Sequence, residues 1–184
     1  MKKLAAIAAA VVLTALPLLG ASVGGVTMPD TVTVDGKTLT LNGAGVRTKM
    51  IVHVYVCGLY LETPSKDAAA IVSATEIKSM KLHMLRAVSG SKISGAIVEG
   101  FENNSKAALP KLKSRLDQLA KLIPDVKEGD EIDLTFVPDK GTQVSVRGTT
   151  TGTIEGRDFA DALFSVWLGP NPVQDDLKQS LVGG

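Results

Sequence analysis

Apolar and polar residues alternate along most of this chain, and the few places where that rhythm changes divide it into elements. Val32 and Val34 alternate with Thr31 and Thr33. Asp35-Gly36 then predicts a tight turn, and Leu39 and Leu41 return as the second strand of a hairpin. Asn42-Gly43-Ala44-Gly45 reads as a flexible turn able to take positive φ. From Val46 to Leu61 the chain is rich in Val, Ile, Leu and Tyr, with no breaker before Gly58, which predicts one or two strands in the middle of a sheet. Pro64 ends that run, and Ser65 or Asp67 can cap a short helix over residues 68–72. A further strand is predicted from Ser79 to Val88, with Met80, Leu82, Met84 and Arg86 on one face.

At Ser89-Gly90-Ser91 the period changes from two to about four, and the serines cap a helix. Ile93, Ile97 and Phe101 form one helical stripe with Ala96 and Gly100 beside them. Leu109, Leu112, Leu116, Leu119 and Ile123 form another, with Lys and Arg outside. Beyond Pro124 alternation returns in Ile132, Leu134 and Phe136. The turn Pro138–Gly141 follows, then Val144 and Val146, then an extended segment to Ile154. Residues 157–168 carry Phe159, Leu163, Val166 and Trp167 at helical spacing, Gly169-Pro170-Asn171-Pro172 breaks the helix, and a terminal helix is predicted over 173–181. Antiparallel hairpins with helices bunched in two places give an α+β class: one large antiparallel sheet with a layer of helices on one face. A cleft between the two layers is the natural ligand site.

Residues 1–24 stand outside this pattern. Lys2 and Lys3 precede an uncharged run from Leu4 to Leu19, and Gly20-Ala21-Ser22-Val23-Gly24-Gly25 supplies the small residues a signal peptidase needs, with the cut expected after residue 21 to 24. The run is shorter than the roughly 20 residues of a membrane span and contains Pro17. The expectation is an exported protein, periplasmic or secreted, with one domain over 25–184 and no stable membrane insertion after cleavage. The 20 Lys and Arg include Lys2 and Lys3, so the processed chain carries one base fewer than its 19 acids. No basic cluster stands out, and nucleic acid is not an expected partner.

Conventional catalytic and metal motifs are missing. His53 and His83 belong to no H-E-x-x-H or C-x-x-C arrangement, so no metal site and no cofactor is expected. Gly43-Ala44-Gly45 begins like a dinucleotide fingerprint, but Thr48 occupies the third glycine position. Cys57 is the chain's one cysteine and lies in an apolar run, as a buried thiol would; His53 is about 13 Å away along a strand. Arg47 and Tyr55 remain. Arg47 interrupts an apolar run, and its charge must reach solvent or a partner. It is either a strand-end arginine or a guanidinium that meets an anion in the cleft. Tyr55 is either an ordinary core tyrosine or a second ligand contact on the same face.

The segment Ala44-Gly45-Val46-Arg47, with Lys49 to Glu62 after it, resembles the chalcone isomerase family, in particular its bacterial chalcone-isomerase-like proteins. Leu85–Lys92 and Trp167–Lys178 match in order and spacing. The resemblance covers nearly all of residues 25–184 and implies that family's open-faced β-sandwich, with the ligand cleft between sheet and helices. In the plant enzymes the arginine of the first motif steers a chalcone phenolate toward cyclisation, and Arg47 matches it. The threonine, tyrosine and asparagine that organise water and the ketone oxygen there fall at Tyr55, Ile93 and Gly100 here. A late polar residue falls at Val166. Isoleucine, glycine and valine offer no side-chain donor to an oxyanion, whose loss costs roughly 2.7–4 kcal/mol per donor, so chalcone cyclisation is not expected.

The arginine–tyrosine pair is similar instead to the fatty-acid-binding, non-catalytic relatives, where it holds the carboxylate while the alkyl chain enters the core. The site expected from this resemblance is Arg47, Tyr55, Met84, Ile93, Ile97, Gly100 and Val166, with Met80 on the same apolar face. The partner expected is a small apolar or amphipathic carboxylate such as a fatty acid. Two other readings stay open: an isomerase or intramolecular lyase in which Arg47 and Tyr55 act on another substrate, and a structural or protein-interaction role without a small ligand.

Overall fold

A computed structural model of the protein describes residues 20–183; residues 1–19, on which most of the expected leader falls, lie outside the described residues. Seven strands form one antiparallel meander in which each pairs with the next: β3 (Thr31–Val34), β4 (Lys37–Lys49), β5 (Val52–Leu61), β6 (Lys78–Met84), β7 (Glu131–Val137), β8 (Gly141–Val146) and β9 (Thr149–Ile154). Five α-helices accompany it: α1 (Ala68–Ser73), α2 (Gly90–Ser105), α3 (Leu109–Leu122), α4 (Arg157–Leu168) and α5 (Asp175–Leu181). Period-two alternation sends Cys57, Leu59, Met80, Leu82, Met84, Ile132, Leu134, Val144 and Val146 to the helical face. There they meet Ile97, Phe101, Leu112, Leu116, Phe159, Leu163 and Val166 in the main core. This is the α+β open-faced sandwich expected from the sequence.

The opposite face of β4 and β5 has a smaller core of its own. A hairpin of β1 (Gly20–Val23) and β2 (Val26–Pro29) brings Val23, Val26 and Met28 onto Leu39, Val56 and Tyr60. This hairpin precedes the one at Thr31–Leu41 that the sequence placed first. Its first strand falls within residues assigned above to the leader, so a cut after residue 21 to 24 removes some or all of β1.

Two other expectations need correction. Asn42–Gly45 is not a turn but the middle of β4; Val46–Leu61, read as one or two strands, is divided between the end of β4 and β5, joined at Met50-Ile51 where Lys49 pairs with Val52. The glycines at 43 and 45 are there for a close approach. A Cβ at Gly43 would lie 2.1 Å from the Ser180 carbonyl oxygen, and one at Gly45 would lie 2.9 Å from Leu177. Only a bare backbone lets α5 lie down on β4. The cap of α2 also differs: Ser89 makes no side-chain capping bond, and Asp125 accepts from the Gly90 N–H at 2.9 Å instead. Asp67 does cap α1, accepting from Ala69 and Ala70.

One buried cation fixes the helical layer. Lys78 is 1% exposed; its ammonium donates to the Ile71, Val72 and Ala74 carbonyls at the end of α1 and lies 3.7 Å from Asp161 of α4. Lys78→Met leaves those acceptors without a donor and is expected to cost about 2 kcal/mol in denaturant unfolding. Burial pulls the ammonium down to about 8, with the Asp161 charge opposing. An unfolded lysine keeps its proton to about pH 10.4, so between about 8 and 10.4 the unfolded chain binds more protons and stability rises with pH. Measured against Lys78→Met, the wild type should therefore gain stability from pH 8 to 10 and show no such difference in slope below pH 7.

Candidate functional site

The β4–β5 hairpin places Arg47 directly across from Tyr55, where eight residues of unbroken strand would have held them apart. Cross-strand partners have Cβ atoms about 4.5–5.5 Å from each other, so the two side chains share one patch of the helical face. A bulge sits beside the pair: Arg47 pairs with Tyr55 and Thr48 with His53, leaving Val54 as the extra residue. Adjacent strand residues normally face opposite ways, but here both Val54 and Tyr55 line the same cleft.

Gln174, immediately before α5, takes up the polar groups that this irregular stretch of β4 exposes. Its Oε1 accepts from the Thr48 N–H at 2.8 Å and from Arg47 Nη1 at 3.2 Å, while its Nε2 donates to the Val46 carbonyl at 3.3 Å. Arg47 Nη1 also donates to the Thr48 carbonyl. Through Nη1 the guanidinium is thus tethered to β4 and to Gln174. No carboxylate lies within ion-pair distance of it among the described residues, and the Tyr55 oxygen lies close enough to accept from it.

Tyr55 is fixed from the other side. Trp167, near the end of α4, donates its indole N–H to the Tyr55 oxygen at 3.0 Å. A phenol has one hydrogen to give and two lone pairs to accept with. The indole occupies a lone pair, and the O–H hydrogen has no acceptor among the described residues. Burial, reinforced by Cys57, pushes the phenol above its ordinary range, with the Trp167 bond and the charge and hydrogen bond of Arg47 opposing. Tyr55 therefore keeps its proton at neutral pH and can donate it to an anion, but it is no base.

Both groups stand at the wall of a cleft of about 840 Å³. Its floor is Arg47, Val54, Tyr55, Leu82 and Met84; its roof is Ile93, Ile97 and Gly100 of α2; Val166 and Trp167 close the back. All seven residues expected from the sequence line this space. Met80 does not: it is wholly buried, with the Cys57 thiol donating to its sulfur at 3.1 Å. Burial raises the Cys57 thiol well above its ordinary range, so it is inert packing. Gly100 and Val166 touch each other across α2 and α4, and a Cβ at Gly100 would sit 2.7 Å from a Val166 methyl. Between them they make a close helix contact rather than a polar subsite, and an asparagine would not fit there unless Val166 moved.

The mouth is basic. Arg47, Lys49, Arg86 and Lys92 line the cleft against one carboxylate, the exposed Glu99, and neither histidine lines it. Sequence reasoning missed Trp167, Gln174, Arg86 and Lys92 as parts of the site. Trp167 and Gln174 come from the last matching segment, and only the tertiary fold returns that segment to the first. Arg86 was placed on the Met80–Met84 face, but β6 ends at Met84 and Arg86 is carried out to the rim.

Comparison with known proteins fits this geometry. The family described as chalcone isomerase-like matches residues 20–183. Among solved structures, a fatty-acid binding protein of Arabidopsis thaliana superposes with a TM-score of 0.70 over 86% of this chain and 92% of that one. The two sequences are 14% identical, so the likeness is one of fold. No curated protein matches at the sequence level.

Proposed function

The chain belongs to the chalcone isomerase-like family, and we propose that within it this is a non-catalytic binding protein for a fatty-acid-like carboxylate. The observation that carries the reading is a guanidinium with no counter-charge beside a phenol O–H with no acceptor among the described residues, both on the wall of a large, mostly apolar cleft. A carboxylate supplies what both lack. It accepts from the free edge of Arg47 and from the Tyr55 hydroxyl, and such charge-assisted bonds are the strong ones. The alkyl chain then runs between Met84 and Leu82 below and Ile93 and Ile97 above, where each buried CH₂ contributes about 0.8 kcal/mol. A volume of 840 Å³ lies within the range of pockets that enclose a ligand of that size.

Proton-transfer chemistry finds little support beside it. The phenol stays protonated, the cleft's carboxylate is exposed at the rim, and Ile93, Gly100 and Val166 donate nothing to a developing charge. Export remains part of the proposal, supported by Lys2, Lys3 and the uncharged run to Leu19.

Tyr55→Phe tests the reading by deleting one donor and leaving the shape. Affinity for a medium-chain fatty acid in calorimetry is expected to fall about tenfold, while affinity for the matching alcohol, weak from the outset, changes little. Equal affinity of wild type and variant for the acid would remove Tyr55 from the site.

A further inference from the structure

The two most exposed large apolar side chains among the described residues are neighbours at the tip of the β4–β5 hairpin. Met50 and Ile51 are each 93% exposed, and Val52 beside them is 37% exposed. Two-residue hairpin loops usually take Gly or Asn where φ is positive, yet Met50 occupies that position at φ 58°. This tip therefore presents apolar surface where a polar turn would have been easier to form. It also sits at the mouth of the cleft, since Lys49, Met50 and Val52 line the same space as Tyr55 and Met84.

Charge decides what such a tip meets. Lys49, Arg86 and Lys92 are exposed on the same rim, with Glu99 as the opposing acid. An apolar point on a cleft whose rim carries exposed cations matches a surface whose interior is hydrocarbon and whose headgroups are anionic, because interfacial binding combines buried apolar area with attraction to acidic lipids. A protein partner with an apolar pocket would satisfy Met50 and Ile51 but would give no common reason for the basic rim. We infer that the Met50-Ile51 tip docks on an anionic lipid bilayer, with the cleft mouth facing the membrane. The inference goes beyond ligand binding and rests on that reading only for its purpose, the transfer of a carboxylate lipid between bilayer and cleft. No helix among the described residues is long and apolar enough to cross a membrane, so the contact is one of surface docking by this tip.

The test is flotation of the protein with vesicles of phosphatidylcholine alone and of equal parts phosphatidylcholine and phosphatidylglycerol, together with calorimetry using octanoate free in solution. Ile51→Asn is the informative variant: Ile51 does not line the cleft, and asparagine suits a turn. Wild type should float with the anionic vesicles, far less with the neutral ones, and be released at high ionic strength. Ile51→Asn should lose about tenfold in vesicle affinity while keeping its octanoate affinity. Wild type that binds octanoate but floats with neither vesicle overturns docking and leaves the binding proposal standing. Wild type that floats but ignores octanoate does the reverse. A wild-type dimer that Ile51→Asn dissolves, without flotation, would show that the tip meets a second copy, and would also overturn docking.

Discussion

Arg47→Met should weaken binding of a fatty-acid-like carboxylate about a hundredfold and leave the fold close to wild-type stability. Arg47 is partly buried, is tethered to Gln174 and the Thr48 carbonyl, and carries no ion pair among the described residues. Folding therefore gains little from its charge, whereas a ligand carboxylate would meet donors already paid for by the fold. Two charge-assisted hydrogen bonds at roughly 1.5–3 kcal/mol each account for an effect of that order. Methionine keeps the unbranched stem and removes only the donors. Calorimetry with a medium-chain acid reads the affinity and denaturant unfolding reads the stability. Loss of several kcal/mol of stability with unchanged affinity would reverse the assignment and make Arg47 a structural residue.

Gly43→Ala is expected to act oppositely, on the fold first and on binding through it. The new methyl carbon would sit 2.1 Å from the Ser180 carbonyl oxygen and 2.7 Å from that of Leu181, both main-chain atoms of the last turn of α5. No side chain can rotate to relieve that contact, so α5 itself must lift. It is held at its far end by Asn42, whose amide donates to the Leu181 carbonyl at 2.8 Å and to the Ser65 carbonyl at 2.9 Å. It is held at its near end by Gln174 on Thr48 and Arg47. Lifting the helix strains both attachments and unburies Leu177 and Leu181. The expected loss is about 3 kcal/mol in denaturant unfolding, with weaker carboxylate binding in whatever remains folded. A change below about 1 kcal/mol would mean that α5 is not packed on bare backbone.

Gly43 also shows where the sequence was misleading. The string Asn42-Gly43-Ala44-Gly45 has the composition of a turn, yet its glycines serve a helix more than 130 residues later in the chain. Local composition cannot separate a glycine kept for its φ from one kept for lack of a Cβ. Period-two alternation in 132–136 and the four-residue stripe Ile93–Ile97–Phe101 were legible because each pattern records burial on one face of a single element. The cleft lining was legible in part, since Met84, Ile93, Ile97 and Val166 sit on those same faces. The pattern of Val46–Leu61 leaves a break open, but its place at Met50-Ile51 was hidden because neither residue is a usual turn former, and with it went the direct opposition of Arg47 and Tyr55. Trp167 and Gln174 were invisible as site residues for a different reason: each acts by holding another side chain, and that depends on contacts between distant segments.

The expected poverty of catalytic donors follows from packing as well as from residue type. Gly100 has no side chain because Val166 occupies the space one would need. Restoring an amide at position 100 would thus require a smaller residue at 166 as well, and a single substitution at Ile93 would leave that contact untouched.

A crystal structure of the protein with dodecanoate answers the main question most directly. The carboxylate should lie between the free edge of the Arg47 guanidinium and the Tyr55 hydroxyl, with Trp167 still donating to the phenol and the alkyl chain running toward Met84 and Ile97. A carboxylate held outside the cleft by Arg86 or Lys92, with the interior unfilled by the chain, would contradict the proposed site.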